Sequence, residues 1–241
     1  MKNSNIKQSG SLSVTAELMK EIDQAATRYY SITEETLMEN AGKACAIEIE
    51  KYISENIKKN YGDIMITVFS GRGNNGGDGL VCGRYLSDKG FNVIIYMVPP
   101  SEKRYNPLVL KNIDMAKKRG IPVKTVDPDS IGNIMDEIKR TDLIVDALLG
   151  ISTVGKPTGI IESIINIINA SAKNVVSIDI PSGINPDTGE VSGVCVNSVL
   201  TLTLGLLKSG LLNSDAKKYT GTLKVVDIGY PQELIKKYIK V

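Results

Sequence analysis

Apolar positions along this chain keep two different periods. Residues 15 to 29, "TAELMKEIDQAATRY", set Leu18, Ile22, Ala25 and Ala26 three or four apart, the spacing of one helical face. Thr15 stands where a hydroxyl caps a first turn. The stretch 33 to 57 opens likewise on Thr33 with Glu34 and Glu35 behind it, acids that suit the amino end of a helix. Two amphipathic helices are therefore expected before the first strand. Short apolar, β-branched runs then follow at 64 to 69, 92 to 98, 122 to 126, 143 to 149, 174 to 180, 199 to 205 and 222 to 228. Between the first five lie helical patterns such as "GLVCGRYLSDKG" and "NPLVLKNIDMAKKRG", each closed by glycine as helices commonly are. Strands apolar throughout, alternating with helices, predict a parallel sheet covered on both faces. The last two runs, with no helix between them, are expected to extend one sheet edge, and "PQELIKKYIK" reads as a short closing helix.

No repeat, low-complexity tract or linker divides the chain, so residues 1–241 are read as one domain, with 1–10 a flexible tail. Net charge is +2, from 29 basic and 27 acidic residues, and the basic runs are short. With two Phe and no Trp, no stacking platform for nucleic acid is suggested. Neither an apolar leader nor a membrane span of about 18 residues is present, and Cys45, Cys82 and Cys195 stand far apart, as reduced cysteines do. The cytoplasm is the expected location. Histidine is absent, which excludes Ser-His-Asp and Cys-His nucleophiles and zinc sites built on imidazole. Proton transfer must then fall to carboxylates, Lys, Tyr, Cys or water, and any metal must be a hard ion held by oxygen.

Ligands of open α/β sheets gather outside the carboxyl ends of the strands, and three strand-end loops are unusual. The first is "GRGNNGGDGL", residues 71 to 80. Gly76, Gly77 and Gly79 are expected to adopt backbone conformations closed to other residues, before a helix starting near Gly79, with its amides open to an anion. Asn74, Asn75 and Asp78 add side-chain oxygens. The dinucleotide fingerprint is not met, because no ribose-binding acid ends the next strand, and two prolines set Glu102 apart from it. The second is "VDALLGISTVGKPTG". Gly150, Gly155 and Lys156 match a phosphate-cradling P-loop until Pro157 takes the place of its magnesium-binding hydroxyl. The third is "SIDIPSGINPDTGEVSG". Asp146 and Asp179 interrupt apolar strands, where a carboxylate is costly unless paired, protonated or ion-bound. With Asn75 and Ser182 they form a set of hard oxygen donors suited to a monovalent or alkaline-earth cation.

"MENAG" at 38 to 42, "NNGGDGL" at 74 to 80, "VDALLG" at 145 to 150, "DIPSG" at 179 to 183 and "TLTLGLLKSGL" at 201 to 211 carry a resemblance. In this order and spacing they closely resemble the NAD(P)H-hydrate epimerases, the YjeF N-terminal domain family. The resemblance implies a three-layer αβα sandwich, Rossmann-like, with a mostly parallel sheet and two N-terminal helices. It also implies a homodimer that interconverts the R and S epimers of NADHX and NADPHX, which carry a hydroxyl on C6 of the nicotinamide ring. A separate nucleotide-dependent dehydratase, specific for the S form, is the implied functional partner. Carried over by residue, substrate binding falls on Asn74, Asn75, Gly76, Gly77 and Asp78, on Gly150, Ile151, Ser152, Thr153, Val154, Gly155 and Lys156, and on Asp179. Potassium falls on Asn75, Asp146 and Ser182. Asp179 is the expected acid and base, with Lys156 assisting it or contacting phosphate. Within "MENAG", Asn40 is expected at the pocket and Met38 in packing. The rival readings are a non-catalytic nucleotide-binding scaffold of the same fold and a phosphotransferase built on the incomplete P-loop.

Overall fold

The structure, a computed structural model, describes residues 13–100, 105–127 and 131–239. After a two-residue strand β1 (Ser13–Val14) come helices α1 (Ala16–Tyr30) and α2 (Glu34–Asn56). Both caps read from the sequence are formed: Thr15 Oγ1 accepts from the Leu18 amide at 3.2 Å and Thr33 Oγ1 from that of Thr36 at 3.1 Å. The alternating region then runs β2 (Met65–Ser70), α3 (Asn74–Asp88), β3 (Asn92–Met97), α4 (Pro107–Lys118), β4 (Val123–Thr125), α5 (Ile131–Lys139), β5 (Leu143–Ala147), α6 (Gly159–Ala170) and β6 (Asn174–Ile178). A long non-helical connection leads to β7 (Leu200–Leu204). Strand β8 (Leu207–Lys208), a short helix α7 (Lys217–Thr220), β9 (Thr222–Val226) and α8 (Gln232–Tyr238) complete the chain. The tail expected over 1–10, and Glu102, lie outside the described residues.

Seven strands form one sheet in the order β4-β3-β2-β5-β6-β7-β9, every neighbouring pair parallel. The last two sequence runs do extend the edge, as β7 and β9. Side chains alternate across the sheet with period two. Leu143 and Val145 of β5 join a core with α1, α2, α3 and α4, while Ile144 between them joins a second core with α5 and α6. Three layers result because the central strands β2, β5, β6 and β7 are buried on both sides and the helices pack one face on them. Connections from β2 run outward to β3 on one side, and the chain returns past it to β5 on the other. The carboxyl ends of β2 and β5 therefore flank the switch point at which such sheets bind ligands. The smaller sheet pairs β1 with β8, Ser13 against Leu207 and Val14 against Lys208. It ties the start of the described chain to the turn after β7. All three cysteines are buried and unpaired, and among the described residues no helix is long and apolar enough to cross a membrane.

Candidate active site

A cavity of about 620 Å³ opens over the carboxyl ends of β2, β5 and β6. Its apolar wall includes Met19 of α1 and Leu37 and Met38 of α2, and Arg72, Asn74, Asn75 and Asp78 face it from the loop after β2 and the first turns of α3.

The glycine-rich stretch reaches this position by a route other than the expected one. Helix α3 starts at Asn74, five positions before Gly79, so Gly76, Gly77 and Gly79 lie inside it and none has a positive φ. Close packing explains them. A Cβ on Gly76 would lie 2.1 Å from the Gly71 carbonyl oxygen, one on Gly77 2.4 Å from Met38 Cε, and one on Gly79 2.5 Å from Ala147 Cβ. Small residues let the helix sink against the loop after β2, against α2 and against β5. Its amino end, capped by Gly73 without a side chain, is left at the cavity beside the Arg72 guanidinium.

Asp179 follows β6 with φ at +69°, the left-handed region that costs a non-glycine residue energy and recurs at functional sites. One carboxylate oxygen lies 2.5 Å from Lys208 Nζ, and the lysine side chain is 1% exposed. That ammonium also donates to the Leu204 carbonyl at 2.6 Å. Burial pushes the Asp78 carboxyl well above its ordinary range, and the charges of Asp179 and Asp23 push the same way. The same cause raises Asp23, opposed by a hydrogen bond from Tyr230 and by the Lys208 charge. Three carboxyl groups thus share one buried ammonium. Asp23, Arg72, Lys208 and Tyr230 all line the cavity, and the sequence reading gave none of them a role.

Asp146 is fully buried and accepts four hydrogen bonds: from the Leu148 amide at 3.2 Å, Ser177 Oγ at 2.8 Å, and the Ser182 amide and Oγ at 2.9 and 2.6 Å. Burial raises its carboxyl, and these donors work against the rise. Ser182 Oγ accepts in turn from the Leu149 amide at 2.9 Å, while Asn75 Nδ2 donates to the Leu149 carbonyl at 2.8 Å. Asn75, Asp146 and Ser182 are thereby brought together around residues 148–149. Asn75 Oδ1 is buried and has no hydrogen-bond partner among the described residues.

The second predicted stretch divides. Gly150, Ile151, Ser152 and Thr153 line the cavity, but Val154, Gly155 and Lys156 do not. Lys156 is 59% exposed with its ammonium 3.5 Å from Glu162, and its stem packs beside Gly193. Helix α6 begins only at Gly159, beyond Pro157, so residues 150–157 do not wrap a helix start as a P-loop does. Asn40 donates instead to the Ile228 carbonyl at 3.0 Å, while Met38 both packs on Gly77 and lines the cavity.

Comparison with known proteins follows the same residues. The model of the family described as YjeF-related protein N-terminus matches residues 34–210. The chain belongs to this family. Over 225 residues it is 37% identical to the NAD(P)H-hydrate epimerase of Elusimicrobium minutum, with 93% of this chain and 98% of the relative covered. The NAD(P)H-hydrate epimerase of Levilactobacillus brevis is 34% identical with the same coverage. The bifunctional NAD(P)H-hydrate repair enzyme Nnr of Thermofilum pendens is 36% identical, and the chain spans 40% of its length. The crystal structure of yeast ynu0 superposes with a TM-score of 0.79 at 24% identity, covering 94% of this chain and 93% of that one, a likeness of fold.

Proposed function

We infer that this chain is an NAD(P)H-hydrate epimerase, interconverting the R and S epimers of NADHX and NADPHX. The observation that carries its chemistry is the ion pair of Asp179 and Lys208, both buried, facing one cavity. Inverting C6 requires the ring hydroxyl to depart and oxygen to return on the other face, with a proton delivered and a proton removed. Asp179 is the group proposed to carry one of these protons. Lys208 fixes its carboxylate and balances its charge. The amino end of α3 and the Arg72 guanidinium suit the phosphates, since unpaired amides and a planar cation both favour anions. Met19, Leu37 and Ile151 supply apolar surface for a ring. Lys156, lying outside the cavity, has no step in this scheme.

Asn75, Asp146 and Ser182 are the residues proposed to hold potassium. The buried, unpartnered Asn75 Oδ1 is the observation that fits such an ion, which takes neutral oxygen donors readily. When bound, the ion would supply positive charge near the phosphates. A dehydratase acting on the S epimer is the proposed functional partner. The test is conversion of R-enriched NADHX to the S epimer above the spontaneous rate. Asp179→Asn should lower kcat on the order of 100-fold or more with the protein still folded. A variant turning over at the wild-type rate would remove Asp179 from the chemistry, and an inactive wild type would leave the cavity as a binding site alone.

A further inference from the structure

A reaction that inverts one carbon through departure and return of oxygen needs two proton-carrying groups, and the ion pair supplies one. We propose that Asp23 is the second, held in position by Tyr230; this rests on the epimerase reading above.

Asp23 belongs to α1 and Tyr230 to the exit from β9, and the tyrosine hydroxyl hydrogen-bonds the Asp23 carboxylate across 207 positions of sequence. Both line the cavity, and both lie outside the matched residues 34–210. Tyr230 cannot swing freely. Its ring lies on Gly205, where an added Cβ would be 2.4 Å from Cε2 and where φ is +67°. Gly205 sits in the turn whose Leu204 carbonyl accepts from Lys208 Nζ at 2.6 Å. One turn therefore holds the Asp179–Lys208 pair on one side and the Tyr230–Asp23 pair on the other.

The charges decide how a proton is kept there. Asp23, Asp78 and Asp179 ionised together against Lys208 would leave two uncompensated negative charges in a buried space, which neighbouring carboxyls avoid by retaining protons. Asp78 is buried, and burial together with the Asp179 and Asp23 charges pushes its carboxyl well above the ordinary range. Asp23 is raised by burial and held back by Tyr230 and Lys208, with Asp179 and Glu34 the remaining charges that act on it. Its tyrosine partner and its place in the cavity wall set this carboxyl where it can exchange a proton with a bound nucleotide. The step balances without any oxidant. The C6–O bond breaks as one carboxylic acid protonates the departing hydroxyl, which leaves as water while the ring nitrogen lone pair forms a C=N bond. Water then adds to the opposite face, and its proton passes to the other carboxylate. The reverse reaction uses Asp23 and Asp179 in exchanged roles.

Asp23→Asn keeps the acceptor for Tyr230 and removes the proton carrier. Its kcat for NADHX epimerisation should fall on the order of 100-fold, with KM changed by less than about threefold. Tyr230→Phe removes a hydrogen bond that favours the ionised carboxylate, so the limb of the kcat/KM profile that Asp23 governs, upper as acid or lower as base, should move to higher pH. A role in packing alone would leave that limb in place. An Asp23→Asn enzyme within about threefold of wild type, or a Tyr230→Phe profile that does not move, overturns the proposal. If the wild-type chain is itself inactive, the epimerase reading fails first and this proposal falls with it; activity in the wild type that is lost in Asp23→Asn supports both.

Discussion

Lys208 illustrates how much one side chain can decide. Among the described residues its ammonium alone lies at ion-pair distance from Asp179, and both groups are buried. Removing one member of a buried pair leaves the other charge uncompensated, at about 3–5 kcal/mol. Lys208→Met should therefore lower the urea midpoint sharply. The Lys208→Met, Asp179→Asn double variant should recover part of that loss, because the orphaned carboxylate is gone; purely additive losses would mean that the two groups do not interact. At this scale the sequence was half legible. Asp146 and Asp179 announced themselves because a carboxylate inside an apolar strand needs an explanation. Lys208 and Arg72 did not, since a lysine or arginine beside a turn is ordinary surface chemistry until the fold buries the one and sets the other at a cavity. Asp23 and Tyr230 become partners only when two ends of the chain meet, which no local pattern records.

Among the elements, α3 departs most from its reading. Glycine is a poor helix former, so "NNGGDG" argues for a loop, and packing overrides that preference from Asn74 onward. Steric detail separates its glycines. Gly76→Ala drives a Cβ into the Gly71 backbone at 2.1 Å, atoms that cannot turn aside, and should destabilise by about 3 kcal/mol as overpacking does. Gly77→Ala meets only the end of the Met38 side chain, which can move, and should cost about 1 kcal/mol or less. Urea denaturation of the two variants checks this ordering, and equal costs would contradict it. The seven strands of the main sheet were legible because each falls in a short run rich in apolar and β-branched residues. Strands β1 and β8, two residues each, are too short to show any period.

Over the whole molecule, the fold's two contributions meet at one place. The parallel sheet supplies strand ends on either side of its switch point, and these carry Asn75, Asp146, Asp179 and Ser182. The first and last parts of the described chain close over them: β1 pairs with β8 beside Lys208, the Ala16 amide donates to Asp187 Oδ1 at 2.6 Å, and α1 packs against α8. Alternation of strands and helices made the layers legible, while the closure was not, because it depends on pairings near 200 residues apart. The central proposal is that this cavity epimerises hydrated nicotinamide nucleotides, with potassium proposed to bind beside it at Asn75, Asp146 and Ser182. The most direct measurement follows conversion of R-enriched NADHX to the S epimer by the full chain, in potassium and in a potassium-free buffer of equal ionic strength. The account predicts conversion well above the spontaneous rate that falls when potassium is withdrawn; conversion no faster than the spontaneous background would contradict the reaction, and equal conversion in both buffers would contradict the ion.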